Sequence, residues 1–261
     1  ALISHLPTSA VLTPAELTRY DANLVAHTQA INGKRKQKGE IVWKYFQWLT
    51  LLFVEIYLDR YFSDRQGLCA ALNDFVERFN RFHEQLKRST GISLYAADDL
   101  NKLCLQNATG SGKTLLMHVN LRQFAHYARC TGQADAYSRV IVLSPNERLS
   151  EQHERELRDN GFYPEPLRQE SDLASRGQSA LDIPLLTEIT KLADEQKVKQ
   201  MAVDSFGDAN LLLVDEGHRG MSGSDWKAKR DKLAARGFTF EYSATFKQAV
   251  KAANDKVLAE S

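Results

Sequence analysis

The chain has 261 residues, of which 43% are apolar and 26% charged, with a formal net charge of +1. That supports one sizeable α/β core with or without a helical appendage, and it excludes disordered, fibrous and collagen-like classes. The near-neutral charge neither requires nor forbids a nucleic-acid partner, because a few local donors can grip phosphates from a neutral body.

Residues 1–38 mix Pro7, Pro14 and polar side chains and end in the basic stretch NGKRKQK, which predicts an arm and linker. Over residues 40–62, Val42, Tyr45, Phe46, Leu49, Leu52, Phe53, Ile56, Tyr57 and Tyr61 recur at helical spacing. A second helix is predicted over 68–87, so that 39–98 form a helical N-terminal unit. The longest apolar run, around residues 48–57, is interrupted by Glu55 and too short to span a bilayer, and no basic, apolar, small-residue leader precedes it. A cytoplasmic protein with no membrane partner is expected. Cys69, Cys104 and Cys130 are widely spaced and lack zinc-site pairing, so they read as reduced, mostly buried small side chains.

After Gly91 the pattern changes. Short apolar runs at 103–106, 140–144, 211–214 and 238–242 alternate with helical stretches, which predicts an α/β fold with a mostly parallel central sheet flanked by helices over 99–261. In such sheets ligands sit beyond the carboxyl ends of the strands.

Three chemically loaded segments fall at those ends. The first is Asn107-Ala108-Thr109-Gly110-Ser111-Gly112-Lys113-Thr114, between a predicted strand and a predicted helix. Its glycines let backbone N–H groups turn inward around phosphates at a helix N-terminus. Lys113 is then expected to reach the β- and γ-phosphates of ATP, and Thr114 to coordinate Mg²⁺. Asn107 stands where the strict phosphate-loop pattern has glycine, and a glycine-rich turn with a chance lysine is the plain alternative. The second is Leu211-Leu212-Leu213-Val214-Asp215-Glu216-Gly217-His218, an apolar strand ending in paired acids. Asp215 is expected beside the Mg²⁺ and Glu216 beside the attacking water, since two such carboxylates repel without a nearby cation. An acid-rich helix start is the alternative. The third, Phe240-Glu241-Tyr242-Ser243-Ala244-Thr245-Phe246, ends in two hydroxyl residues, which equally suit a helix cap.

The order ATGSGKT, DEGH, SAT resembles the superfamily 2 helicases over residues 100–249. The resemblance implies a RecA-like ATP-binding domain in which Thr109 to Thr114 are motif I, Asp215, Glu216 and His218 belong to the DExH box, and Ser243 and Thr245 form motif III, coupling nucleotide state to nucleic-acid grip. The segment PNERLSEQ after the strand at 140–144 is similar to motif Ia, which implies nucleic-acid contacts from Pro145, Asn146 and Gln152. Tyr45-Phe46-Gln47 resembles the aromatic-glutamine pair that reads the adenine edge in relatives; an ordinary exposed glutamine is the alternative. His218 is expected to link the ATP site to motif III.

DEGHRG and FTFEYSATF resemble more narrowly the motor subunits of type III and type I restriction enzymes. This implies double-stranded DNA as partner, together with a second RecA-like domain, a nuclease domain and a methyltransferase or specificity subunit. The chain ends soon after motif III, so the second RecA-like domain and the nuclease are expected elsewhere; Asp98, Asp99 and Lys102 lack nuclease spacing. An RNA helicase of the DExH type, an ATP-gated switch without turnover and a phosphate-loop kinase are the competing readings.

Overall fold

The computed structural model describes residues 12–35, 39–85, 92–108, 110–167, 181–193, 201–215 and 224–244. Its centre is a six-stranded sheet built from β1 (Lys102–Gln106), β2 (Arg139–Ser144), β3 (Glu165–Pro166), β4 (Pro184–Glu188), β7 (Asn210–Asp215) and β8 (Phe238–Ser243). The strand order is β1-β8-β7-β2-β4-β3. Every ladder in it is parallel, so all carboxyl ends lie on one edge. Two short parallel strands, β5 (Leu192–Ala193) and β6 (Met201–Ala202), form a separate pair. The four strands expected from sequence are present; β3 to β6 were not expected, because β3, β5 and β6 span two residues each and β4 opens on Pro184 with an apolar run of only two leucines.

Alternation along the strands divides the core. Phe238, Phe240 and Tyr242 join Val140, Val142, Leu211 and Leu213 on one face, packed against Met117, Leu121 and Phe124 of α4 (Lys113–Cys130). Ile141, Leu143, Leu212 and Val214 face the other side with Phe206 and Leu233. Leu233 ends α6 (Ser224–Leu233). On that side β8 presents Glu241, whose buried carboxylate pairs with Arg230 of α6 at 2.8 Å. Also on the sheet is α5 (Glu147–Asp159), which follows β2.

The stretch expected to be an arm and linker contains a full helix, α1 (Pro14–Asn32). Thr13 and Glu16 form a reciprocal capping box, and Pro14 stands in the first turn, where its missing N–H costs nothing. A proline read as part of an arm is thus a helix starter. Leu17, Tyr20, Leu24, Thr28 and Ile31 form the buried stripe. This stripe packs with Trp48, Leu51 and Leu52 of α2 (Tyr45–Ser63) and with Leu116 and Val119 of α4. The α2 helix begins at Tyr45 rather than at residue 40. Val54, Leu58, Tyr61 and Phe62 of α2, with Leu68 and Cys69 of α3 (Arg65–Gln85), belong to the same cluster as Phe124 and Phe238. The N-terminal helices therefore share the core of the sheet domain. Only Cys69 of the three cysteines is buried; Cys104, on the edge strand β1, and Cys130, at the end of α4, are exposed, contrary to expectation.

With the sheet on one side and α1 and α2 on the other, α4 is buried nearly all round, including His118, Asn120 and Gln123. Buried polar groups of this kind need partners, and the amides of Asn120 and Gln123 have them. Asn120 Nδ2 donates to Gln123 Oε1 at 2.8 Å, and Gln123 Nε2 donates to the carboxylate of Glu55 on α2. Glu55 also accepts from Tyr127 Oη and Asn23 Nδ2, each at 2.9 Å. Burial pushes the Glu55 carboxyl upward, against the lowering effect of these donors.

Candidate functional site

The loop after β1 has the backbone needed to wrap a phosphate. Gly110 and Gly112 have φ of +76° and +88°, the left-handed region that L side chains rarely adopt. Gly112 caps α4, so Lys113 and Thr114 open the helix, where the first-turn amides and the helix dipole favour an anion. Ser111 N donates to Ala108 O at 3.1 Å, closing a tight turn. Ser111 Oγ and Asn107 Oδ1 are buried without hydrogen-bond partners among the described residues. Orphaned polar atoms beside a helix N-terminus fit a polar anionic ligand with its cation. The missing glycine at Asn107 does not prevent the loop, because the left-handed turns fall at Gly110 and Gly112.

Gln47 of α2 lies directly on this loop. Its Nε2 donates to Ser111 O at 2.6 Å, and its Oε1 accepts from Lys44 N at 2.9 Å. A Cβ on Gly112 would lie 2.7 Å from Gln47 Nε2, so an added side chain would push the glutamine amide aside, while the positive φ is what calls for glycine. The long sequence separation between Gln47 and Lys113 is closed by packing α2 along α4.

Strand register sets the remaining groups. Gln106 is level with Ser243, and Tyr242 is level with Asp215 on the next strand. Adjacent strands lie about 4.8 Å apart, so the end of β7 is about 10 Å from the end of β1. Asn107 N donates to Ser243 O at 2.9 Å, tying the start of the glycine loop to the end of β8. Asp215 is buried, and its Oδ2 lies 2.9 Å from Nε2 of His153, which is also buried. Opposite a carboxylate, Nε2 is the donor. His153 was not anticipated; in sequence it is one polar residue on a charged helix. Its sole signal is the i,i+4 spacing to buried Leu157 on the inner face of α5. Behind it, His118 Nδ1 accepts from Asn160 Nδ2 at 2.5 Å, and burial holds His118 neutral, its basicity lowered well below the ordinary range.

The segment after β2 is more ordinary. Asn146 caps α5 by accepting from Leu149 N at 3.1 Å, and Gln152 donates to Glu156 at 2.9 Å along the same helix. Pro145 lies between β2 and α5, at the edge shared with Ser144 and Asp215. Asp99 Oδ2 accepts from Ala96 N at 2.7 Å, and Lys102 pairs with Asp231 at 2.9 Å. Thr109, Glu216, His218 and Thr245 lie outside the described residues.

The structure thus brings together Gln47, the 110–114 loop, Asp215 and Ser243 on one edge of the sheet. Among the described helices none is long and apolar enough to cross a membrane. The family described as type III restriction enzyme, res subunit, matches residues 69–248. No curated protein matches the chain.

Proposed function

Because the chain belongs to the family of type III restriction enzyme res subunits, an ATP-dependent helicase-like family acting on DNA, we propose that it binds Mg²⁺-ATP and hydrolyses it to drive translocation along double-stranded DNA. The observation that carries this reading is the Asn107–Ser243 backbone bond together with the level ends of β8 and β7. The phosphate loop, the motif III strand and the acid strand form one contiguous edge, as a motor requires if nucleotide state is to be passed to a nucleic-acid grip.

In this reading the N–H groups at the start of α4 hold the phosphates and Lys113 neutralises the transferring end. Thr114 and Asp215 hold the Mg²⁺, which when bound offsets charge on the phosphate oxygens. Glu216 orients and deprotonates the attacking water, and His218 with Ser243 and Thr245 transmits the result. Gln47 keeps one N–H beyond its bond to Ser111, and that N–H is the group offered to the adenine edge. The 145–152 segment contributes to the DNA backbone interface through its main chain, since the side chains of Asn146 and Gln152 are engaged within α5. A second RecA-like domain closes over the nucleotide, and nuclease and methyltransferase functions belong to the same restriction assembly.

The deciding experiment is Mg²⁺-ATP hydrolysis by the full-length protein with and without double-stranded DNA, beside Glu216→Gln and Lys113→Ala. The expected result is strong stimulation by DNA, lost in both variants, with nucleotide binding kept in Glu216→Gln and lost in Lys113→Ala. Stimulation by RNA alone would replace DNA as the track. Tight nucleotide binding without turnover under either would make the chain a nucleotide-gated switch.

A further inference from the structure

A cavity of about 500 Å³ lies beside the far half of α4, away from the glycine loop. Arg122 and Arg129, on its wall, lie about 14 Å and about 24 Å along the helix axis from Lys113. The cavity is therefore separate from the nucleotide edge, and its size is within the range of small-molecule sites, about 300–1,000 Å³.

Its wall carries two guanidinium groups, Arg122 and Arg129 of α4, with the imidazoles of His27 of α1 and His126 of α4 beside them, against the single carboxylate of Asp182. That carboxylate is already committed to Arg129, 2.6 Å away. Arg122 is left over. Its guanidinium lies 4.7 Å from the centroid of Phe162, and among the described residues it makes no hydrogen bond or ion pair, its Nε being buried without an acceptor. With only the longer-range attraction of Asp182 to offset its burial, the half-buried guanidinium bears a desolvation cost that a bound anion removes. The surrounding charge acts the same way on His27, whose pKa is lowered to about 4 by burial first and then by His126 and Arg122. Exposed Tyr163 at the rim provides a flat face beside the cationic floor.

We infer that this cavity is a second anion site, taking a small phosphate-bearing ligand whose phosphate pairs with Arg122 between His27 and His126. Arginine suits this because its planar fork matches phosphate oxygens in pairs. The site is independent of the proposed nucleotide chemistry, and either can fail without the other.

The test is equilibrium dialysis of the full-length protein against radiolabelled inorganic phosphate, and separately ribose 5-phosphate, at constant ionic strength. The variants are Lys113→Ala, Arg122→Gln and Asp182→Asn. The expected result is one saturable site that survives Lys113→Ala and weakens by about tenfold or more in Arg122→Gln, the loss of a charge-assisted hydrogen bond. Asp182→Asn removes the competing carboxylate from an exposed pair, so its affinity should rise by about threefold; this variant decides the matter if Arg122→Gln does not fold. Tighter binding of ribose 5-phosphate identifies a phosphorylated sugar as the ligand type, and equal binding identifies free phosphate. Saturable binding that disappears entirely with Lys113→Ala, or that is unchanged in both cavity variants, overturns the proposal.

Discussion

The Tyr242 hydroxyl donates a 2.7 Å hydrogen bond to Asn120 Oδ1, joining the strand that ends at Ser243 to the helix that begins at Lys113. The chain of donors continues through Gln123 to Glu55 on the helix that carries Gln47. The three elements surrounding the glycine loop are thus connected by buried polar bonds as well as by apolar packing. Buried networks of this kind hold a single arrangement because each broken bond leaves an unpaired group away from water.

Tyr242→Phe should cost about 1–3 kcal/mol of stability, since Asn120 loses its buried donor while the ring still fills its space. Urea unfolding of the variant beside the wild type checks this. Equal unfolding free energies would mean that the bond adds no stability and that the network is incidental.

Gly112→Ala should destabilise the protein by about 1–2 kcal/mol through its left-handed backbone alone, and should weaken nucleotide binding because Gln47 is displaced from Ser111. Adding Gln47→Ala should recover part of the lost stability by clearing the clash, while leaving the backbone strain. Thermal unfolding and nucleotide titration of the two single variants and the double variant measure the coupling. Strict additivity would show that the two side chains do not meet.

His153→Ala removes the Nε2 donor from the buried Asp215 carboxylate, and a loss of about 1–3 kcal/mol is expected. If His153 positions Asp215 for Mg²⁺, turnover should fall more steeply than nucleotide binding, and higher Mg²⁺ should restore part of it. A variant with normal Mg²⁺ dependence and normal turnover would reduce His153 to a packing residue.

The lowered pKa of His27 has a pH consequence. The folded protein favours the neutral imidazole, so its contribution to stability is present above pH 6.5, the ordinary histidine value, and is lost as pH falls through about 4. Urea unfolding between pH 4 and 7 should therefore show a steeper acid loss for the wild type than for His27→Gln. Arg122→Gln should narrow the window by taking away one of the cations that lower the pKa. Parallel curves for wild type and His27→Gln would exclude His27 as a contributor.

The Arg230–Glu241 pair is buried on both sides, with side chains 3% and 4% exposed. Burial raises the Glu241 pKa, and Arg230 opposes that rise. Arg230→Ala should cost about 3–5 kcal/mol because it strands the carboxylate, whereas replacing both residues by leucine or methionine should cost far less. Denaturant midpoints of the single and double replacements separate the two cases.

Much of this protein is legible in one dimension. The short apolar runs at β1, β2, β7 and β8 and the glycine loop between a strand and a helix are local patterns, and local sterics decide them. The residue types in ATGSGKT and DEGH state which chemistry is on offer, because few side chains place cations and carboxylates at strand ends. Helix α1 was legible too, in the Thr13–Glu16 box, but Pro14 among polar side chains read as part of an arm without its position in the first turn. Only the tertiary structure decided which side chains meet. Gln47 reaches Ser111, His153 reaches Asp215, and Tyr242 reaches Asn120 across separations that no periodicity encodes. Each is a buried or part-buried hydrogen bond whose partner is chosen by how α2, α4 and α5 pack on the sheet. The same packing leaves Arg122 beside a cavity, because a side chain's surplus charge becomes visible only when its neighbours are known.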